Sequence, residues 1–115
     1  MQRAVCLFLA CAAFLSGGGA LAQYPSKPVR IVVPSPAGGV GDIFLRHVAQ
    51  SLTQVLGQPV VIDNRAGANG IIGAQAVANS AADGYTLLAG NFSTHSANPS
   101  LYRRLPYDPV RDFTP

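Results

Sequence analysis

The chain has 115 residues, 49% of them hydrophobic and 11% charged, with a formal net charge of +3. Its eight basic and five acidic residues are scattered rather than run together, which excludes a nucleic-acid patch and a polybasic membrane segment. It contains no glutamate and two cysteines, both within the first eleven residues.

The first 22 residues, MQRAVCLFLACAAFLSGGGALA, read as a secretory signal peptide. One positive charge, Arg3, precedes an apolar core over 4–15, and Ala20-Leu21-Ala22 supplies an A-x-A site. The apolar run is shorter than the ~20 residues that span a bilayer, so cleavage after Ala22 and export to the periplasm are expected. Cys6 and Cys11 leave with the signal, so the mature chain has neither a disulfide nor a cysteine metal site. Seven basic residues then face five aspartates, a net +2 that suits an anionic small molecule.

From residue 23 the pattern alternates. KPVRIVV (27–33) is β-branched and bounded by prolines, the signature of a strand covered on both faces. The loop PSPAGGVGD follows. A helix then runs from Asp42, placed to cap it, to Gly57, with Leu45, Val48, Leu52, Val55 and Leu56 as its apolar stripe. VVIDN (60–64) is the second strand and RAGANG (65–70) the second small-residue loop. IIGAQAVANSAA (71–82) reads as an alanine-rich helix, and YTLLAG (85–90) as the third strand. The polar loop NFSTHSA leads into a short helix capped by Asn98, with Pro99 at its first position, through Leu105. The order β-α-β-α-β-loop-α, with short connections, implies an α/β fold: a parallel sheet with helices on both faces.

Ligands of such sheets sit at the carboxyl ends of the strands, where three loops converge. In the first, Gly38, Gly39 and Gly41 permit close backbone approach, and the helix that follows turns its free N–H groups and dipole toward the loop. A tight turn that merely needs glycine explains the same residues, and geometry alone does not choose. Gly39 and Gly41 begin a dinucleotide fingerprint, with Asp63 at the distance of a ribose-binding acid, but Phe44 stands where the third glycine belongs and its bulk is expected to block close helix–strand packing there. No Gly-Lys-Ser/Thr follows for a P-loop. In the second loop Gly67, Gly70 and Gly73 stand three apart at a helix start. The third offers Asn91, Ser93, Thr94, His95 and Ser96 as donors. His47 is read as structural. The residues assemble no catalytic set and no metal-ligand spacing, so neither enzyme activity nor a cofactor is expected. Polar, uncharged anion recognition after export is the chemistry of a binding protein.

YPSKPVRIVVPSPAGGVGD, LGQPVVIDNRAGANGIIGAQAVANSAADGYTLLAG and THSANPSLYRRLPYDPVRDFTP together resemble the amino-terminal part of the tripartite tricarboxylate transporter substrate-binding (TctC/Bug-type) receptors, over all of 23–115. The resemblance implies a type II periplasmic-binding-protein fold, in which two α/β lobes close on a small organic carboxylate. It implies that 23–115 is part of the first lobe and that the chain is truncated. Partners would be membrane transporter subunits or, alternatively, a sensor protein in a role without transport. A nucleotide-binding enzyme is the remaining alternative, and the complete receptor would be monomeric. Ligand contacts carry over to Ala37, Gly38, Gly39, Gly41 and Asp42 in the first loop and to Ser93, Thr94 and His95 in the third. Two positions depart from the family: Ser35 where an aromatic is common, and Gly41 where Ser or Thr commonly precedes the aspartate. With one lobe, the chain is expected to bind carboxylates weakly or not at all.

Overall fold

The computed structural model describes residues 23–115. The expected signal peptide, its cleavage site and both cysteines lie outside the described residues. Strand β1 is Val29–Val33, β2 is Val60–Asn64 and β3 is Thr86–Leu88. They form one parallel sheet in the order β2-β1-β3. Register runs from Val29 opposite Val60 to Val33 opposite Asn64, and Arg30 to Val32 face Thr86 to Leu88 on the other side. The first crossover moves from β1 to one side; the second returns across β1. Right-handed connections therefore place the two intervening helices on opposite faces.

The central position of β1 explains its composition. Val29, Ile31, Val32 and Val33 are buried and form most of the core, joined by Ala49, Ala74 and Tyr107. β2 and β3 have neighbours on one side only, so Val61 and Leu87 remain half exposed. Helix α1, Val40–Leu56, lies against β2. Leu45, Val48, Ala49, Leu52 and Leu56 turn inward, whereas Val55, assigned to the apolar stripe, is 81% exposed. The helix ends at Gly57, whose N–H donates to the Thr53 carbonyl (3.1 Å). Thr53 also joins α1 to β2: its hydroxyl accepts the Val60 N–H (3.0 Å).

Several boundaries differ from the sequence pattern. Helix α1 starts two residues before Asp42, with Gly39 at the cap position. A glycine has no cap side chain to read, which is why Asp42 looked like the start. Helix α2 is Ile71–Ala78, and a single turn of 3-10 helix over Ala68–Gly70 precedes it. α2 stops at Asn79, before the Ala81-Ala82 end that composition suggests. The stretch expected to be a polar loop is itself helical: a wide (π) turn covers Ser93–Ala97 and passes directly into α3, Asn98–Leu101. α3 ends at Tyr102, earlier than Leu105.

At the amino ends of the strands, the segment before β1 is fastened to the turn before β3. The Tyr24 hydroxyl donates to the Gly84 carbonyl (2.6 Å), the Ser26 N–H donates to the Tyr85 hydroxyl (2.9 Å), and Lys27 pairs with Asp83 (3.1 Å). The opposite, carboxyl edge is thus left to the three loops.

Candidate functional site

The strand order places a reversal of direction at β1 and β3, and a crevice outside their carboxyl ends is where open α/β sheets bind ligands. Three loops meet there. Gly70 and Gly73 lie so close to Pro34 of the first loop that a Cβ at either would stand 3.4 and 3.0 Å from the Pro34 Cβ. At Gly70 it would also stand 3.0 Å from the Thr94 Cγ2 of the third loop. Gly70 has φ +84°, so glycine answers both the backbone conformation and the lack of space. The expectation that three loops converge is met through these glycines.

Ala37, Gly38, Gly39 and Gly41 are all exposed. The amides of Val40, Gly41 and Asp42, in the first turn of a seventeen-residue helix, have no intrahelical acceptor. A Cβ at Gly41 would meet nothing within 4 Å, so open space adjoins this end of the helix. Asp42 is different: it is buried beneath the loop it follows. Its Oδ2 accepts the Gly38 N–H (2.8 Å) and pairs with the Arg46 guanidinium (3.0 Å). Its Oδ1 has no hydrogen-bond partner among the described residues. The Arg46 guanidinium first, and the Gly38 N–H second, hold its carboxyl at about 2, below the ordinary 3.8, against the opposing effect of burial. Arg46 in turn donates to Asn64 at the end of β2 (3.1 Å), and Asn64 donates to the Ser35 carbonyl (3.3 Å). The carboxylate of Asp42 therefore shapes the first loop from below, reaching back along the chain as the third residue of the helix.

In the third loop, Asn91 and Thr94 bond reciprocally. The Thr94 N–H donates to Asn91 Oδ1 (3.0 Å), and the Asn91 N–H donates to Thr94 Oγ1 (2.9 Å). This is a capping-box arrangement with Asn in the cap position and Thr three residues on. Asn-x-x-Thr at 91–94 was the available signal for it. Thr94 is fully buried, and its hydroxyl also lies 3.0 Å from the Asn91 carbonyl and 2.9 Å from His95 Nδ1. Its polar capacity is spent inside the turn. His95 is exposed and covers the Gly90 backbone, where a Cβ would stand 2.7 Å from its Cε1. Its ring tilts against Phe113, centroids 5.2 Å apart. Ser93 is half-buried.

Sequence reasoning missed the part that three polar residues play in holding these loops; Asn98, expected to cap the short helix, is instead its first residue and turns its side chain to the second loop. The Asn69 side chain donates to Asn98 Oδ1 (2.8 Å), and the Asn98 amide donates back to the Asn69 carbonyl (3.0 Å). The Tyr107 hydroxyl donates to the Thr94 carbonyl (2.7 Å). His47, read as structural, is exposed instead. Phe44 is 64% exposed, so its bulk does not obstruct helix–strand contact, and the steric reason against a dinucleotide site does not hold. Among the described residues no group of three or more His, Cys, Asp or Glu is placed to hold a metal, and no helix is long and apolar enough to cross a membrane.

The family model described as the tripartite tricarboxylate transporter family receptor matches residues 44–115. The chain is 48% identical over 93 residues to Protein BugT of Bordetella pertussis, an alignment covering 80% of this chain and 28% of that protein. Two solved structures are similar along most of the described residues. MatC from Rhodopseudomonas palustris with bound malate is 41% identical with a TM-score of 0.75, covering 80% of this chain and 31% of that one. A second R. palustris protein, solved with adipate, is 43% identical with a TM-score of 0.71, covering 75% and 29%. The chain thus spans under a third of the length of the relatives it matches. With this match, the dinucleotide alternative loses to a receptor fold on sequence rather than on the bulk of Phe44.

Proposed function

The chain belongs to the tripartite tricarboxylate transporter receptor family, and from that premise we propose that it acts outside the cytoplasm as a receptor for a small organic carboxylate. The carboxylate is held by the backbone of the first loop and handed to membrane transporter subunits. One observation carries the reading: the first turn of α1 presents N–H groups without intrahelical acceptors at the carboxyl end of β1, bordered by Ala37, Gly38, Gly39 and Gly41, all exposed. A carboxylate is the anion that such an amide cluster and the positive end of a helix dipole favour. The malate and adipate of two similar structures support the same ligand class.

Each first-loop residue then has a part. Ala37, Gly38, Gly39 and Gly41 keep bulky side chains away from the amides. Asp42 acts through its bond to Gly38, fixing the loop; its own carboxylate, held deprotonated by Arg46, would repel a ligand carboxylate and does not touch it. In the third loop, half-buried Ser93 and exposed His95 are assigned to the ligand's polar atoms. Thr94 holds the turn. These loops form one wall of a cleft. A buried small ligand loses 70–90% of its surface to its pocket, so affinity for this wall alone is expected on the order of 1 mM.

The test is an NMR amide titration of the chain with malate and adipate, with their neutral diamides and a neutral sugar as controls. Saturable shifts with the dicarboxylates alone support the reading. Equal responses to the neutral compounds, or none to any of them at tens of millimolar, would refute it.

A further inference from the structure

The second loop has the least relaxed backbone of the three. Gly67, Ala68, Asn69 and Gly70 have φ of +124°, +46°, +53° and +84°. Two of these are not glycine, and such a run persists only where its surroundings hold it. What holds it is a set of side chains that reaches the third loop. Asn98, fully buried, exchanges two bonds with Asn69. The Asn98 amide also lies 3.4 Å from the Tyr107 hydroxyl, which donates to the Thr94 carbonyl. Tyr107 is buried and meets Phe113 edge-on, centroids 5.9 Å apart; Phe113 in turn contacts His95.

We propose that Asn69, Asn98 and Tyr107 form a strut of positioning residues that fixes the Ser93–Ala97 turn, and with it His95, to the second loop, which itself packs on Pro34 of the first. This rests on the carboxylate reading above for its functional consequence, but not for its geometry. The Asn91–Thr94 box shapes the turn internally and does not tie it to the rest of the molecule. Besides the strut, the Gly70–Thr94 contact joins the second loop to the third, and van der Waals contact there is not directional. The hydrogen bonds supply direction: Tyr107 grips the backbone of Thr94 itself, one residue before the imidazole. Asn98 and Tyr107 are buried, so either one left without its partner carries its full desolvation cost. Losing one bond is therefore expected to release the turn rather than weaken it slightly.

The experiment compares the chain with Tyr107→Phe, Asn69→Gly and Val29→Ala by amide hydrogen exchange and by the NMR signals of the His95 ring. Asn69→Gly keeps the positive φ accessible and removes the side-chain donor, with some added backbone freedom at that residue. Val29→Ala is a control, deleting buried methyl groups at the far end of β1. The strut requires that exchange at Thr94 and His95 rise at least tenfold relative to β1 amides in the first two variants, with the His95 ring signals displaced. Val29→Ala must leave that ratio unchanged. With malate added, the strut variants keep the first-loop response and lose that of Ser93–His95. Unchanged relative exchange in both strut variants, or an equal rise in Val29→Ala, overturns the proposal. Should Tyr107→Phe not fold, Asn69→Gly decides. If malate shifts nothing in the parent chain, the receptor reading fails while the exchange ratio still judges the strut.

Discussion

The first and third loops were the two candidate halves of one site, and they use opposite means. The first is made mostly of small residues, with the buried Asp42 carboxylate holding it from below; its free polar groups are backbone amides without intrahelical acceptors at the start of a helix. The third is rich in hydroxyls, amides and an imidazole, and most of that capacity is spent internally: Asn91 and Thr94 on each other, Asn98 on Asn69, Tyr107 on Thr94. A cluster of polar side chains thus signals a capped turn as readily as a binding site. A bare stretch of small residues before a long helix leaves donors with nowhere else to go.

The largest disturbance of this contrast is expected where the loops touch. Gly70→Ala places a Cβ at positive φ and 3.0 Å from Thr94. It should cost roughly 2–3 kcal/mol, read as an earlier midpoint in urea unfolding. Thr94→Val keeps the shape but removes the hydroxyl on which the Asn91 N–H depends. A loss of about 1–3 kcal/mol is expected. If the variant were as stable as the parent, the third loop would not be held by its own polar groups, and the comparison would fail.

Acid sharpens the contrast from the first loop's side. The Asp42 carboxyl is lowered to about 2 in the fold from an ordinary 3.8, so it binds its proton less readily folded than unfolded. Its stabilisation is complete above about pH 4 and is lost as pH falls toward 2. Asp108 is lowered to about 2 as well, through the Arg111 and Val110 N–H groups and the Arg111 side chain, and it contributes in the same window. Asp42→Asn should flatten part of the stability loss between pH 4 and 2, and Asp42→Asn with Asp108→Asn a larger part, Asp83, also lowered by the Tyr85 N–H and Lys27, keeping its share. Urea midpoints taken at half-unit pH steps would show this; parallel curves for Asp42→Asn and parent would remove the carboxylate from its place under the loop. The smallest structural effect is expected at Gly41→Ala. The added methyl meets nothing, and alanine favours the helix by up to ~1 kcal/mol, so thermal unfolding should be unchanged or slightly later.

The sequence made the frame legible where burial has a single cause. β1 reads as a strand covered on both faces because it is central, and β2 matches residue for residue because prolines and glycines bound it. Convergence of the loops was legible in Gly70 and Gly73, though not which side chains they make room for. Features that depend on partners far along the chain were not legible. Asn69 and Asn98 are 29 residues apart and Tyr107 reaches back 13 to Thr94, and nothing local marks them. Asp42 looked like a cap because carboxylates occupy first turns; its actual bond, back to Gly38, needs the glycine turn at φ +83° to exist first.

The central claim is that the first-loop amides bind the carboxylate. Its most direct test is a titration of the chain with malate and with its neutral diamide, followed at the amides of Gly39, Val40 and Gly41. The account predicts saturable shifts at these amides with malate and none with the diamide. Equal responses to the two compounds, or malate shifts confined to residues away from the start of α1, would contradict it.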